Sequence, residues 1–167
     1  MNASNNGIIT REHFKKLNIL NVTTIEKDAF KNNKELISIV FPESVTEIEE
    51  YAFLGCIKLE SIDMPGVENI GKEAFKNCKE LTSVNMRNII YIGQGAFVNC
   101  IKLNFSVENI WVNDHPSLLE IGNSAFKYCK KLLKLSQLGM VLACAVVIDK
   151  PRTIIDRNFF TSKPLYH

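Results

Sequence analysis

Histidine is scarce in these 167 residues: His13, His115 and His167 are the whole set. Only His115, in Val112-Asn113-Asp114-His115-Pro116, lies beside an acid that could orient it as a base, and no serine elbow or cysteine nucleophile motif accompanies it. An Asp-His-Pro turn accounts for that pair, so the sequence points away from an enzyme and toward no cofactor. No Cys-x-x-Cys pair occurs, which removes the usual zinc spacings, and no metal site is expected. Long apolar runs are missing too. The longest, residues 138–148, is 11 residues and contains Gly139, whereas a bilayer span needs about 20. It ends in Asp149-Lys150-Pro151 and reads as a buried strand. Residues 1–6 are polar and Pro164-Leu165-Tyr166-His167 lacks a prenylation box, so neither a secretory signal nor an anchor is expected. That leaves a cytoplasmic location by default. The formal net charge of +2 implies no strong attraction to nucleic acid or to an anionic membrane.

What the chain has is repetition. Ala-Phe recurs at Ala29-Phe30, Ala52-Phe53, Ala74-Phe75, Ala96-Phe97 and Ala125-Phe126, with steps of 23, 22, 22 and 29 residues between the phenylalanines. A period in this range marks a solenoid, each unit one coil stacked on the last. Four residues before each Ala stands Ile25, Ile48, Ile70, Ile92 or Ile121. Three after each Phe comes Asn33, Cys56, Cys78, Cys100 or Cys129, and three further on Leu36, Leu59, Leu81, Leu103 or Leu132. Then follow Ile39, Ile62, Val84 and Leu135, with Ser106 interrupting the row. A truncated copy, Ile9-Thr10-Arg11-Glu12-His13-Phe14, opens the array, and a degraded one, Ile155-Asp156-Arg157-Asn158-Phe159-Phe160, closes it. Terminal coils are atypical because they must cover the core.

The unit implies its own local structure. Leu36-x-x-Ile39-x-Phe41, Leu59-x-x-Ile62-x-Met64 and Leu81-x-x-Val84-x-Met86 place inward residues two apart, which predicts strands over 37–41, 60–64 and 82–86 in one parallel sheet. Pro42 and Pro65 end the first two. Each Ala should be buried with its Phe. Acids precede the Phe (Asp28, Glu50, Glu73) and lysines follow it (Lys31, Lys76, Lys127), a sorting that suits a helix dipole and predicts one short helix per coil. Asn32, Gly55, Asn77 and Asn99, two past the Phe, are good left-handed caps, with Tyr128 the exception. Gly93-Gln94-Gly95 occupies a position held elsewhere by Glu49-Glu50-Tyr51, so it is scaffold and not a phosphate cradle. The Cys column, with thiols pointing one way about 5 Å apart, reads as buried free thiols and not as a disulfide or metal set.

The unit Ile70-Gly71-Lys72-Glu73-Ala74-Phe75-Lys76-Asn77-Cys78-Lys79-Glu80-Leu81-Thr82-Ser83-Val84 resembles the BspA-like branch of the leucine-rich repeat superfamily over almost the whole chain. The expected fold is a repeat solenoid of short parallel strands and short helical turns, an α/β arrangement. Residues 1–24 form an N-terminal cap, 25–135 five coils with an insertion in the fourth, and 136–167 a C-terminal insertion with the degraded capping repeat. The resemblance implies a non-enzymatic protein-binding module, either a surface antigen or adhesin or an intracellular scaffold.

A protein partner must then be met by a surface. Ser38, Ser61 and Ser83 form one outward column on the strands, and Val40, Asp63 and Asn85 a second; Lys134 and Ser136 extend them in the fifth coil. Solenoids bind along such a face. Trp111, the only tryptophan, lies in the first insertion, either as a binding anchor or as part of a short strand packed on the coil. Nine lysines after the phenylalanines (Lys31, Lys34, Lys58, Lys76, Lys79, Lys102, Lys127, Lys130 and Lys131) form a third candidate, for acidic partners.

Overall fold

The computed structural model describes residues 8–9, 21–104, 111–112, 115–116, 120–131 and 152–153. Inward residues two apart produce the expected strands. β1 (Ile8–Ile9), β3 (Ser38–Val40), β5 (Ser61–Asp63) and β7 (Ser83–Val84) make one four-stranded sheet in which every pairing is parallel. Ile39, Ile62 and Val84 pair in register and are buried, while their neighbours Ser38, Val40, Ser61 and Asp63 are half-buried. Both proline-terminated strands stop two residues before Pro42 and Pro65. Ile9 pairs with Ile39. It therefore belongs to this sheet's row and not to the row of Ile25, where the opening copy placed it; His13 and Phe14 lie outside the described residues.

A second sheet was not anticipated. β2 (Thr24–Ile25), β4 (Glu47–Ile48), β6 (Asn69–Ile70), β8 (Tyr91–Ile92) and β11 (Glu120–Ile121) stack in parallel, and β12 (Arg152–Thr153) closes the row antiparallel to β11. These are the isoleucines four before each Ala, each buried in its two-residue strand. The isoleucines are preceded by a further buried row, Val45, Val67 and Ile89, which the repeat alignment also missed. In the first insertion β9 (Trp111–Val112) and β10 (His115–Pro116) form an antiparallel hairpin.

The segment holding Ala-Phe is a tight turn, not the expected helix. Ala29, Lys31 and Asn33 donate their amides within the coil, to the carbonyls of Glu26, Asp28 and Phe30 at 3.1, 3.0 and 3.0 Å. The alternate amides of Asp28, Phe30 and Asn32 donate to Glu50, Ala52 and Leu54 of the next coil at 3.2, 2.7 and 2.7 Å. A helix needs every amide to point back along its own segment; here half of them are committed to the neighbouring coil. Two left-handed residues per turn achieve this. One is the foreseen row, Asn32, Gly55, Asn77, Asn99 and also Tyr128; the other precedes the Ala, at Asp28, Tyr51, Glu73, Gly95 and Ser124. The charge sorting has a local cause as well. Asp28 pairs with Lys31 at 2.8 Å and Glu73 with Lys76 at 2.9 Å, across the turn.

The core is a set of columns. Phe30, Phe53, Phe75, Phe97 and Phe126 stack with centroids 4.9–5.2 Å apart and ring planes within 7°. Ala52, Ala74, Ala96 and Ala125 are fully buried beside them, as expected. Ala29 is exposed and Phe30 half-buried, contrary to expectation; among the described residues Phe30 stacks on Phe53. Gly71 and Gly93 allow the coils to close: a Cβ at either would sit 2.6 Å from backbone of the preceding coil. Leu132, Leu135, the 138–148 run and the closing copy at 155–160 lie outside the described residues.

Candidate functional site

The first sheet sets the geometry of the predicted surface. In-register parallel pairing aligns Ser38 with Ser61 and Ser61 with Ser83, and Val40 with Asp63. At the near edge β1 pairs in parallel with β3, with Ile8 opposite Ser38. The two columns line an open groove of about 370 Å³ bounded by Ser38, Val40, Ser61, Asp63, Ser83, Asn85 and Arg87. The amide of Asn85 donates to the Asp63 carboxylate at 3.2 Å, and the Arg87 backbone N–H donates to Asn85 Oδ1 at 3.4 Å. Asp63 is thereby held on the groove wall, ringed by hydroxyls that can both donate and accept. Such a surface offers many shallow polar contacts and carries both a carboxylate, Asp63, and a guanidinium, Arg87.

The cysteine column is structural. Cys56, Cys78, Cys100 and Cys129 are buried and free. Their Sγ atoms donate to the carbonyls of Phe30, Phe53, Phe75 and Phe97, one coil back, at 3.0–3.2 Å. Burial pushes the thiols of Cys78 and Cys100 well above the ordinary range and that of Cys129 up to about 12. Thiols held neutral in this way are neither nucleophiles nor ready metal ligands; Cys56 departs from the row, its thiol lowered by the hydrogen bond with Cys78. Asn33 fills the slot in the first coil by a different route, its Oδ1 accepting from the amides of Glu35 and Leu36 at 3.0 and 3.1 Å. Among the described residues no group of three or more His, Cys, Asp or Glu is placed to hold a metal ion. No described helix is long and apolar enough to cross a membrane.

Six copies of a BspA type leucine rich repeat region match residues 9–133. The chain belongs to the BspA-type leucine-rich repeat family. Among solved structures, this BspA-type protein is similar to a leucine rich cell surface protein from Faecalibacterium prausnitzii A2-165. The two are 24% identical over 66% of this chain and 41% of that one, with a TM-score of 0.42. A leucine-rich repeat protein from Bacteroides ovatus ATCC 8483 is 23% identical over 64% of this chain and 45% of its own, with a TM-score of 0.30. The chain thus spans less than half the length of either protein. No curated protein matches it.

Of the residues expected to contact a partner in this BspA-type chain, Ser38, Ser61, Asp63, Ser83 and Asn85 come together in the groove. Trp111 is in the β9–β10 hairpin, paired with Pro116, and Lys134 lies outside the described residues. Arg87 was missed. It follows the inward Met86, where the strand pattern had run out, and only the fold brings it to the groove wall. The lysines divide into two classes. Lys31 and Lys76 pair within their coils, and Lys58 and Lys102 pair with Glu35 and Glu80 of the preceding coils. Lys34, Lys79 and Lys130 are exposed and form no ion pair among the described residues.

Proposed function

We propose that this chain is a non-enzymatic protein-interaction module that engages a protein partner through the face of its first sheet. The observation carrying this reading is the groove, in which equivalent side chains of successive coils stand side by side with Asp63 fixed at its wall. Ser38, Ser61, Asp63, Ser83 and Asn85 make the contacts, and Lys134 extends the same face by its repeat position. Serine, asparagine and aspartate favour a wet, hydrogen-bonded interface in which no single residue dominates. Bulk and charge are therefore better probes than truncation.

Arginine at Ser61 and Ser83 together would fill the groove by steric exclusion and leave desolvated charge in it. In affinity capture with the intact chain, the Ser61→Arg/Ser83→Arg variant is expected to lose the partner while Trp111→Ala retains it. Circular dichroism confirms that each variant is folded. Undiminished capture by the double arginine variant refutes the sheet face, and loss with Trp111→Ala alone moves the contact to the hairpin. Labelling of unpermeabilised cells separates an adhesin-type role from an intracellular scaffold.

A further inference from the structure

Stacking the coils exposes an order that the single repeat conceals: the turn face has a period of two coils. One past the Phe, the row reads Lys31, Leu54, Lys76, Val98, Lys127; one past the Cys slot it reads Lys34, Ile57, Lys79, Ile101, Lys130. Both rows alternate lysine with an aliphatic residue. The inner lysines Lys31 and Lys76 are neutralised by Asp28 and Glu73 of their own coils. In the outer row Lys34, Lys79 and Lys130 are exposed without an ion pair among the described residues, and Ile57 between the first two is 40% exposed. Coils repeat every 4.9–5.2 Å along the phenylalanine column. Ammonium-bearing positions with no ion pair among the described residues therefore recur at about 10 Å, twice the parallel-strand spacing.

Avoiding repulsion between lysines in adjacent coils explains why the charges are spaced. It does not explain exposed isoleucine between them, since any polar residue would separate the charges and cost less in water. We propose that the outer row is a track for a linear acidic polysaccharide carrying one anionic group per disaccharide. The lysines meet successive anionic groups, and Ile57 and Ile101 meet the C–H faces of the sugars between them. The spacing favours this class over other polyanions. Charges of a nucleic-acid duplex recur at about 3.4 Å of helix axis per strand, and acidic side chains on one face of an extended peptide at about 7 Å. An extended disaccharide spans roughly two coils. This surface lies on the turns and not on the first sheet, so it does not depend on the proposed protein partner.

Fluorescence polarisation of labelled hyaluronan oligosaccharides with the full chain tests the proposal. A hexasaccharide should bind more tightly than a tetrasaccharide, because three disaccharides reach Lys34, Lys79 and Lys130 together. Lys79→Gln should weaken hexasaccharide binding about two- to fivefold, the range of an exposed ion pair, and abolish its advantage over the tetrasaccharide. Lys102→Gln, whose lysine is already paired with Glu80, should change nothing. Ile57→Gln should weaken the sugar and leave polyglutamate unaffected. The proposal is overturned if the hexasaccharide fails to bind or if Lys79→Gln binds it normally. Polyglutamate or a single-stranded oligonucleotide of equal charge binding as tightly would also overturn it, and would reassign the row to that class.

Discussion

Replacing Phe75 with alanine removes a fully buried ring that is stacked on Phe53 and Phe97, both at 5.1 Å and both within 7° of parallel. Large-to-small changes at aromatic core positions cost about 3–5 kcal/mol. Two ring contacts, each contributing roughly 0.5–1.5 kcal/mol beyond area burial, put this one at the upper end of that range. The expected loss is about 4–5 kcal/mol. Phe30 provides the internal control, since it is half-buried and, among the described residues, stacks on Phe53 at 4.9 Å. Its alanine variant should lose about 2 kcal/mol, because the burial contribution scales with the apolar area removed from water. Urea melts followed by circular dichroism measure both. In a stack where each coil touches only its neighbours, the Phe75 change weakens two interfaces in mid-array. The transition should accordingly broaden or split, with a lower apparent m-value, whereas Phe30→Ala should shift the midpoint and leave the slope alone. A loss below about 2 kcal/mol for Phe75→Ala, or equal losses for the two variants, would refute the continuous-column account.

Three further outcomes follow from the backbone and the thiols. Gly93→Ala should cost about 2–3 kcal/mol, because its Cβ would sit 2.6 Å from the Gly71 carbonyl carbon and the Lys72 nitrogen; Gly95→Asn should stay within about 1 kcal/mol, since φ is +63° and the nearest atoms are side-chain carbons at 3.3–3.4 Å. Thermal melts giving the reverse order would contradict this coil packing. The raised thiols of Cys78, Cys100 and Cys129 contribute stability that is fully present below the ordinary thiol range of about 8.5 and is lost as pH rises toward about 12, because the unfolded thiols lose protons that the folded chain retains. The lowered thiol of Cys56 contributes in the opposite sense. Cys129 is held up to about 12 by burial, so Cys129→Ala should reduce that alkaline slope by up to about 1.4 kcal/mol per pH unit, and an unchanged slope would contradict the assignment. Asn33→Ala leaves the amides of Glu35 and Leu36 without their side-chain acceptor and should cost about 1–2 kcal/mol in chemical denaturation; no measurable loss would show that the cap is dispensable.

Residue identity announces a position only when the environment tolerates few side chains. The Phe, Cys and Leu columns were legible for that reason: burial between coils at about 5 Å spacing selects size and apolarity at every turn. Asn32, Gly55, Asn77 and Asn99 were legible because the left-handed region favours Gly and Asn. The groove columns followed from strand alternation, which carries Ser38, Ser61 and Ser83 to the same face once Ile39, Ile62 and Val84 are inward.

The second sheet was invisible because each of its parallel strands, β2, β4, β6, β8 and β11, has two residues, one in and one out, too short for alternation to register. Its outward members, Glu47, Asn69, Tyr91 and Glu120, share no chemistry. Nothing in Asp28, Tyr51, Glu73 or Ser124 advertises a left-handed backbone, yet all adopt one. For Asp28, Tyr51 and Glu73 the cause lies outside the segment: carbonyls of Glu50, Lys72 and Gln94 in the next coil stand where alternate amides must point. The acid-then-lysine order that suggested a helix is satisfied by ion pairs across a turn. Local sequence therefore determined the period, the Phe, Cys and Leu rows and the outward columns of the first sheet. Tertiary stacking decided the turn conformation, which lysines are paired and which remain free, because those depend on groups a full coil away in the chain.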